Sequence, residues 1–337
     1  MNILGLESSC DETAAAVVAD GSRILSSVVA SQIEVHHPYG GVVPELAARR
    51  HVEAIGLITR RALADAGLTV DDIDAVAATQ GPGLVGALLV GFNFAKAFAY
   101  AREIPFVGVD HLEGHLYSVW LSSPAIRFPY VALLASGGHT GLYHVAAPGD
   151  YRLLGQTRDD AVGEAYDKVA KMLDLGYPGG PVLDRLAHKG RGDRFQFKRP
   201  YLDKTQFDFS FSGIKTAVRR HIEHSSHLPK DRLQLDIAAG FQAAVIDVLT
   251  HKLLHAVKVA PCCHMAVVGG VAANQGLRTR LTTEAVAREI GLHMPELALC
   301  GDNAAMIASV AHHHFGIGER MQLDADVYSR AVKAGGV

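Results

Sequence analysis

The chain has 337 residues, of which 49% are hydrophobic and 20% are charged, and its net charge is −3 with neutral histidines. This composition excludes a disordered or collagen-like chain, and the length predicts two globular domains. Four cysteines without a CxxC spacing exclude a disulfide framework and a cysteine-rich zinc site, which is typical of a protein of the reducing cytoplasm. A nucleic-acid partner would need a local basic surface, because the chain as a whole is not basic.

The N-terminus predicts no signal peptide, because MNILGLESSC lacks a basic region before its apolar residues. The longest uncharged stretch, Ala75–Ala95, is long enough to span a membrane. A glycine–proline turn at residues 80–83 interrupts it and favours a buried strand followed by a buried helix. We therefore expect a soluble, cytoplasmic protein without a membrane partner.

The first part of the chain alternates short apolar runs with helical patterns. Two runs, Asn2–Glu7 and Ala14–Ala19, flank the polar turn SSCDET and predict a β-hairpin, which Ile24–Ala30 extends as a third strand. The elements predicted next are a helix at Val42–Ala66, a strand at Asp74–Thr79, a helix at Leu84–Ala101, a strand at Phe106–Val109 and a helix at His111–Leu121. This alternation is typical of an α/β domain.

The same pattern restarts near residue 130. The strands Tyr130–Ala135 and Gly141–Ala146 flank the turn SGGHT, and Tyr151–Gln156 follows, which indicates an internal duplication of the three-stranded opening. Later elements are helices at Ala161–Leu173, Pro181–Lys189, Ser212–His224 and Arg232–Val257, a strand at Met265–Val268, a helix after the turn GGVAAN, and a final helix at Asp302–Phe315. The segment Gly190–Ser212 is predicted to be an irregular excursion on the surface.

His111 and His115 are candidate metal ligands. Their four-residue spacing stacks both imidazoles on one face of the predicted helix, as two ligands of one cation require. A third ligand must come from elsewhere, and Asp302, in the sequence CGDNAAMIA, is a candidate. The alternatives are two ordinary surface histidines and a simple helix N-cap at Asp302.

Three glycine-bearing loops follow predicted strands or open predicted helices: Ala135–Thr140, Tyr177–Pro181 and Gly269–Asn274. Glycines let backbone N–H groups approach an anion, and a helix N-terminus adds a favourable dipole. None of the loops matches a P-loop or a dinucleotide-binding fingerprint, and each by itself is more often a tight turn. Together in one chain they favour a nucleotide site.

Charged residues supply two further hypotheses. Asp11 and Glu12 are adjacent in a turn, where they could hold a cation or a water molecule, or simply be solvated. Between Asp184 and Lys204 there are seven Lys/Arg against three Asp/Glu, with Phe195, Phe197 and Tyr201 among them, and Lys215, Arg219 and Arg220 follow. This is where an RNA would bind, and a solvated basic loop is the alternative.

A family resemblance rests on motifs that occur in family order along nearly the whole chain. They are GLESSCDETAAAVV, YGGVVPELAARRH, TQGPGLVGALLVG, HLEGH, LLASGGHT, GEAYDKVAKMLDLGYPGGP, FDFSFSGIKT, VVGGVAANQGLR and GDNAAMIA. In these motifs the chain resembles the universal tRNA threonylcarbamoyladenosine transferase family, in particular its bacterial TsaD branch, formerly described as O-sialoglycoprotein endopeptidase.

The resemblance implies an actin/sugar-kinase/Hsp70-like (ASKHA) α/β fold, in which two duplicated halves enclose a central nucleotide cleft. The first half is expected to be residues 1–125, closed by the C-terminal helix in 296–337. The second half is expected to be residues 126–295, with a basic insertion at 190–212.

The resemblance also implies the site residues. One divalent metal, Fe²⁺ by preference and Zn²⁺ as the alternative, would bind His111, His115 and Asp302. The adenylate of threonylcarbamoyl-AMP, the donor substrate, would contact Ala135, Ser136, Gly137, Gly138, His139, Asp167, Gly180, Asp184 and Asn274. The implied reaction moves the threonylcarbamoyl group to N6 of adenosine 37 in tRNAs that read codons beginning with A. Asp11 or Glu12 would order water or take the proton of the attacking amine.

The partners that the resemblance implies are tRNA, the shorter paralogue TsaB and the small ATPase TsaE, with a homodimer expected for the chain alone. Two departures from the family pattern are Gly301, where a threonine is usual, and Ala272, where a serine is usual; each removes a hydroxyl group. Competing hypotheses are a metalloprotease, a non-catalytic nucleotide-binding scaffold and a small-molecule kinase on the same fold. The metalloprotease hypothesis lacks the glutamate directly after the first histidine that HExxH enzymes use.

Overall fold

The computed structural model describes residues 1–123, 125–200, 206–225, 228–260 and 262–330. The chain forms two compact units, one comprising Met1–Pro124 and Gly301–Val337 and the other comprising Ala125–Cys300. Each unit has its own sheet and its own hydrophobic core.

The strands and helices are labelled in chain order. The strands are β1 (Asn2–Glu7), β2 (Glu12–Ala19), β3 (Arg23–Ser31), β4 (Ala75–Gly81), β5 (Phe106–Asp110), β6 (Tyr130–Ala135), β7 (Thr140–Ala147), β8 (Asp150–Gln156), β9 (His264–Val268) and β10 (Gly291–His293). The α-helices are α1 (Ile33–His36), α2 (Pro44–Asp65), α3 (Val85–Arg102), α4 (His111–Ser122), α5 (Val162–Met172), α6 (Gly179–Ala187), α7 (Ser212–His224), α8 (Lys230–Val259), α9 (Gln275–Arg288) and α10 (Ala304–Gly316).

The two sheets have the same topology. The first has the order β3-β2-β1-β4-β5 and the second the order β8-β7-β6-β9-β10. In each, three antiparallel strands are followed by two strands parallel to the first, as the pairs β1–β4 and β6–β9 illustrate. The internal duplication predicted from the two strand–turn–strand openings is therefore confirmed.

In the first unit, the parallel strands bring their carboxyl ends to one edge of the sheet. β1 ends at Glu7, β4 ends at Gly81 and β5 ends at Asp110, directly before α4. Helix α10 covers this sheet so closely that a Cβ on Gly5 would lie 2.3 Å from the carbonyl oxygen of Ala304. Only glycine allows this approach, which brings the start of α10 to the strand that carries Glu7.

In the second unit, α5, α6, α7, α8 and α9 accompany the sheet, and α8 lies in the core. Along this helix the side chains of Ile237, Phe241, Val245 and Leu249 are buried. By length and composition α8 could span a membrane, but 78% of its most apolar window is buried within the fold. Its apolar character therefore has a structural explanation.

Most predicted elements are confirmed to within a few residues at each end. The uncharged stretch that begins at Ala75 forms β4, a turn and α3, as expected. The short elements α1 and β10 were not predicted, because four and three residues are too few to establish a periodicity.

The prediction of a surface excursion at Gly190–Ser212 is wrong for its phenylalanines. Phe195 and Phe197 are 7% and 3% exposed, and Phe209 and Phe211 are fully buried in the core of the second unit. Burial of such large apolar groups is more favourable than leaving them in water, so they are not available to stack on bases. Tyr201 lies outside the described residues.

Two arginines of the same segment form ion pairs with acids of α8. Arg194 pairs with the fully buried Asp236 at 3.2 Å, and Arg199 pairs with Asp247 at 2.7 Å. A buried carboxylate such as Asp236 requires such a partner, so Arg194 has a structural role. The aromatic part of the RNA surface expected at residues 184–204 is therefore wrong, whereas its basic part, in which Arg191 and Lys198 are exposed, stays a prediction.

Candidate metal centre and glycine-rich loops

The three candidate metal ligands lie together in the first unit. The ligand atoms of His111, His115 and Asp302 lie within 4.8 Å of one another. Nε2 of His115 lies 3.1 Å from Oδ1 of Asp302, and Nε2 of His111 lies 3.6 Å from the same oxygen. The histidines are 5% and 0% exposed, so the alternative of two surface histidines is wrong. Two imidazoles and one carboxylate are a donor set that suits Fe²⁺ or Zn²⁺.

Asp302 is not the cap of the final helix. The N-cap of α10 is Asn303, whose Oδ1 accepts a hydrogen bond from the backbone N–H of Met306 at 3.0 Å. Because the neighbouring residue caps the helix, the Asp302 carboxylate faces the two histidines. The N-cap alternative for Asp302 is therefore wrong.

The histidine-bearing helix is held at its own start. Oδ1 of Asp110 accepts hydrogen bonds from the backbone N–H groups of Leu112 and Glu113. The hydroxyl of Tyr328 donates to the other oxygen of the same carboxylate at 2.7 Å. This cap fixes the first turn of α4 and with it the position of His111.

Glu7 lies behind His111 and is fully buried at the end of β1. Its Oε2 lies 3.1 Å from Nδ1 of His111 and accepts a hydrogen bond from Oγ1 of Thr79 at 2.5 Å. Its Oε1 accepts from the backbone N–H of Ser9 at 2.5 Å, and the Ser9 hydroxyl lies 3.3 Å from the same nitrogen of His111. The carboxylate is thus surrounded by donors.

Opposing effects set the ionisation of this pair. Burial raises the pKa of Glu7. The adjacent His111 and Thr79 lower it by more than burial raises it, so the pKa lies below its usual value. Burial lowers the pKa of His111, whereas the carboxylates of Asp302 and Glu7 raise it, with a result of about 9. The site therefore attracts positive charge, as a cation site does.

Asp11 lies in the turn between β1 and β2, and Glu12 is the first residue of β2. Asp11 is 9% exposed. Burial first, and then the nearby charges of Asp11 and Asp302, raise the pKa of Glu12 to about 9. His51 of α2 fixes this turn, because its Nε2 lies 3.0 Å from the carbonyl oxygen of Cys10 and its Nδ1 lies 2.8 Å from Oγ1 of Thr13.

Glu113, between the two histidines in the sequence, points away from them. It is 5% exposed, and its carboxylate lies 3.3 Å from Nε2 of His314 on α10. An HExxH protease needs its glutamate beside the metal-bound water. This arrangement gives no support to the metalloprotease hypothesis.

The glycines of the second unit fall into two groups. A Cβ on Gly163 would lie 2.7 Å from the carbonyl oxygen of Ser136, and one on Gly269, whose φ is +88°, would lie 2.5 Å from that of Ala135. These glycines let neighbouring backbones approach. By contrast, a Cβ on Gly137, Gly138 or Gly180 would meet nothing within 4 Å. Packing does not require glycine at these three positions, which leaves room for a ligand beside the backbone.

The polar residues expected to bind the adenylate are drawn together around α6. Oδ1 of Asp167 accepts a hydrogen bond from the backbone N–H of Gly179, beside Gly180. Asp184 accepts hydrogen bonds from Nε2 of Gln242 and from the backbone N–H of Gln275, both at 2.9 Å. Oε1 of Gln242 accepts a hydrogen bond from Nδ2 of Asn274, and Asn274 also caps α9.

The loop from Ala135 to His139 is a tight turn between β6 and β7. The backbone N–H of His139 donates to Oγ of Ser136 at 3.1 Å. Because β6 and β9 are parallel neighbours, this loop and the loop at residues 269–274 leave the sheet at the same edge. The carboxyl ends of such strands are where ligands bind in open α/β sheets.

The two departures from the family pattern differ in their setting. Ala272 is fully buried in the hydrophobic core, so a hydroxyl group there would face apolar neighbours. At Gly301 a Cβ would meet nothing within 4 Å, so the fold does not exclude the usual threonine.

Comparison with known proteins agrees with the assignment. The family model described as tRNA N6-adenosine threonylcarbamoyltransferase, TsaD, matches residues 23–309. A relative of that name from Desulforapulum autotrophicum is 56% identical over 330 residues, which cover 98% of this chain and 99% of the relative. One from Geobacter sp. strain M21 is 52% identical, covering 97% of this chain and 95% of the relative.

The chain belongs to the tRNA N6-adenosine threonylcarbamoyltransferase family. The predicted enzyme class, an acyltransferase that modifies tRNA, is thereby confirmed. The relatives give no support to the protease, scaffold or small-molecule kinase hypotheses.

Solved structures support the expected fold. This chain is similar to component A of the (R)-2-hydroxyglutaryl-CoA dehydratase of Acidaminococcus fermentans, with a TM-score of 0.56 at 17% identity, covering 94% of this chain and 99% of that chain. It is also similar to full-length HypF in a phosphate- and nucleotide-bound form, with a TM-score of 0.61 at 12% identity, covering 97% of this chain and 47% of that chain. The predicted ASKHA fold is confirmed.

The sequence analysis did not identify the residues that hold the predicted site residues in place. Glu7 contacts His111, and Gln242 contacts Asp184 and Asn274, although no metal or nucleotide motif includes either of them. Thr79 contacts the Glu7 carboxylate, and His51 contacts the backbone of the turn that carries Asp11. For Glu7 a signal exists, since an acidic residue at the end of a buried strand lies at the carboxyl edge of the sheet, where sites form.

Proposed function

We propose that this family member transfers the threonylcarbamoyl group of threonylcarbamoyl-AMP to N6 of adenosine 37 in tRNAs that read codons beginning with A. The observation that carries the proposal is the cluster of His111, His115 and Asp302 in a chain that is 56% identical to a named family member over nearly its whole length. The N6 nitrogen attacks the carbamoyl carbon, the new C–N bond forms, and AMP leaves with the anhydride oxygen.

The adenine amine is a poor nucleophile, because its lone pair is delocalised into the ring. Placement of the two substrates therefore supplies much of the catalysis. In the proposal, the loop Ala135–His139 and Gly180 at the start of α6 hold the adenylate through backbone N–H groups. Asp167, Asp184 and Asn274 shape this site, the last two through Gln242.

His111, His115 and Asp302 would hold one divalent metal, Fe²⁺ by preference or Zn²⁺. When bound, such a metal supplies Lewis-acid polarisation of carbonyl or carboxylate oxygens of the donor. Asp11 or Glu12 accepts the proton released by the attacking amine. Asp11 lies in the turn that follows β1 and Glu12 begins β2. Glu12 can accept a proton only in its ionised form, and burial and the nearby carboxylates raise its pKa to about 9.

The proposal includes partners. tRNA is the acceptor substrate, and the paralogue TsaB and the small ATPase TsaE assist the reaction in the cytoplasm. The proposal assigns docking, either to the paralogue or to a second copy of the chain, to this part of the first unit, where Val52 and Leu57 on α2 and Val85 on α3 are exposed apolar side chains.

The test is reconstitution. The purified chain, loaded with Fe²⁺ without oxygen or with Zn²⁺, is incubated with threonylcarbamoyl-AMP, both partner proteins and unmodified tRNA. Digested tRNA is then analysed for threonylcarbamoyladenosine by mass spectrometry. We expect product from the wild type, none from His111→Ala or Asp302→Ala, and wild-type amounts from the control His37→Ala, which removes an exposed histidine.

Two further variants address the proton acceptor. If Asp11 or Glu12 has that role, Asp11→Asn or Glu12→Gln will lower the rate by about 10²–10⁴-fold. Full activity in both variants would eliminate both residues. Absence of product from a wild-type chain that binds metal and nucleotide, with active partners, would instead favour the scaffold hypothesis.

A further inference from the structure

Glu7 is the buried titratable group that the proposed chemistry leaves unused. It is fully buried at the end of β1, yet it touches His111 rather than any solvent-exposed group. Burying a carboxylate is costly unless every oxygen finds donors. Here Thr79, Ser9 and His111 provide them, at distances of 2.5, 2.5 and 3.1 Å.

This arrangement fixes the tautomer of His111. A carboxylate oxygen only accepts hydrogen bonds, so Nδ1 of His111 must carry the proton that faces Oε2. In the neutral ring, Nε2 then has its lone pair directed to the side where Asp302 lies, 3.6 Å away. The nearby Ser9 hydroxyl does not oppose this, because a hydroxyl can accept as well as donate.

The two histidines differ in this respect. Among the residues that the structure describes, Nδ1 of His115 is buried without a hydrogen-bond partner. Its ring is oriented from the other side, by the 3.1 Å contact between its Nε2 and Oδ1 of Asp302, and by packing that includes an edge-to-face contact with His111 at 4.7 Å between ring centroids. A carboxylate behind a metal-binding histidine fixes ring orientation and raises ligand basicity.

We propose that Glu7 is a positioning residue, which holds His111 in the orientation and the Nδ1–H tautomer that leave Nε2 available to a divalent metal. The inference rests on the proposed metal-dependent function. It identifies Glu7 as the carboxylate that orients the metal ligand His111, through the contact between Oε2 and Nδ1. Thr79 and Ser9 in turn hold the Glu7 carboxylate in place.

The variant Glu7→Gln reverses the pattern without changing the size of the side chain. The backbone N–H of Ser9 still requires an acceptor, so the amide oxygen occupies the Oε1 position and the NH₂ group faces His111. A donor at that position requires a lone pair on Nδ1. The proton then moves to Nε2, which is the nitrogen that the metal needs.

The first measurement needs no metal and no activity. Long-range ¹H–¹⁵N spectra of the full chain at a pH where the ring is neutral report which nitrogen of His111 carries the proton, with His111→Gln used to assign the signal. We expect the Nδ1–H tautomer in the wild type and the Nε2–H tautomer in Glu7→Gln. An Nε2–H tautomer in the wild type would overturn the proposal, even if Glu7→Gln failed to fold.

The second measurement is Co²⁺ binding, followed by the visible absorption of the bound ion. We expect Glu7→Gln to bind Co²⁺ about 10–100-fold more weakly than the wild type, and Glu7→Asp, which retains a carboxylate, to recover part of the loss. The matched control is Glu113→Gln, the same substitution at a buried carboxylate that pairs with His314, and it should leave affinity and tautomer unchanged.

The outcomes separate the two proposals. Wild-type affinity and tautomer in a folded Glu7→Gln would overturn the role of Glu7 and leave the metal site standing. A wild type that binds no Co²⁺ would overturn the metal site, while the tautomer of His111 would still decide whether Glu7 orients the ring.

Discussion

At the scale of single residues, two glycines near the loop after β6 have different surroundings: Gly138 lies in that loop, and Gly163 lies in the first turn of α5. Gly163 lies directly against the backbone of Ser136 and Gly137, whereas the space beside Gly138 is open for at least 4 Å. The backbone of Gly138 is not in the left-handed region, so alanine can adopt its conformation. The two positions can therefore separate a packing role from a ligand-binding role.

We expect Gly138→Ala to leave stability unchanged and to weaken AMP binding about tenfold, which corresponds to ~1.4 kcal/mol. Gly163→Ala should instead lower the free energy of unfolding by about 1–3 kcal/mol, because the new methyl group overlaps the loop backbone. Calorimetric titration with AMP and urea denaturation measure the two effects. Equal AMP affinity in Gly138→Ala and the wild type would exclude close approach of the ligand there.

The neighbours Asp302 and Asn303 divide two tasks between them. Asn303→Ala removes the cap of α10 and should lower the free energy of unfolding by about 1 kcal/mol, whereas Asn303→Ser should retain most of it. In the metal-free protein Asp302→Ala should leave the cap intact and act on His111 instead, whose pKa burial lowers and the Asp302 carboxylate raises. Urea denaturation measures the effect of the two Asn303 variants, and an NMR pH titration measures the pKa of His111. An unchanged His111 pKa in Asp302→Ala would contradict the division.

At the scale of secondary-structure elements, one carboxylate links α5 to α7. Asp160, just before α5, pairs with Lys168 of α5 at 2.6 Å and with Lys215 of α7 at 2.7 Å. Burial raises the pKa of Asp160, but the two ammonium groups lower it by more. In the folded state the carboxylate therefore stays ionised down to a lower pH than a free aspartate does. The connection therefore depends on pH.

Asp160→Asn should lower the free energy of unfolding by about 1 kcal/mol at neutral pH. The pKa of Asp160 is lower in the folded than in the unfolded state. The difference in free energy of unfolding between the wild type and Asp160→Asn should therefore reach its full size above about pH 4, and it should vanish as the pH falls through the folded-state pKa. Urea denaturation as a function of pH checks the profile. Glu164→Gln, at a more exposed acid that pairs with Lys168, is the control and should have a smaller effect. A pH-independent difference would contradict the assignment.

At the scale of the whole molecule, the two units differ in continuity. The second is one segment, Ala125–Cys300, which contains all five strands of its described sheet and its core. The first combines Met1–Pro124 with the C-terminal residues, and α10 buries Met306, Ile307 and Val310 against its sheet. Removal of α10 would expose this apolar surface.

We propose that residues 125–300 form an autonomous domain, whereas residues 1–124 fold only with the C-terminal segment. A fragment of residues 125–300 should melt cooperatively and give dispersed amide signals. Residues 1–124 alone should aggregate or remain unfolded, and coexpression with residues 301–337 should rescue them. Cooperative folding of residues 1–124 alone, or disorder in residues 125–300, would contradict the division. The sequence-based limits of 1–125, 126–295 and 296–337 remain predictions that the same fragments can test.

Local patterns determined much of the fold and part of the site. Strands such as β1 and helices such as α2 follow from periodicity, and the repeated strand–turn–strand units predicted the duplicated sheets. The spacing of His111 and His115 predicted two imidazoles on one helical face, because backbone hydrogen bonding fixes 3.6 residues per turn. These features depend on neighbours along the chain, so the sequence by itself determines them.

Contacts between distant residues were decided only by the tertiary structure. Glu7 meets His111 across 104 residues, and Asp302 meets His115 across 187, because strand order and the packing of α10 bring them together. The burial of Phe195 and Phe197 likewise depends on α8, a separate segment of the chain. The local composition predicted that these phenylalanines would lie on a surface that binds RNA, but they pack in the core of the second unit. Periodicity determines an element, and only packing determines which side chains of different elements meet.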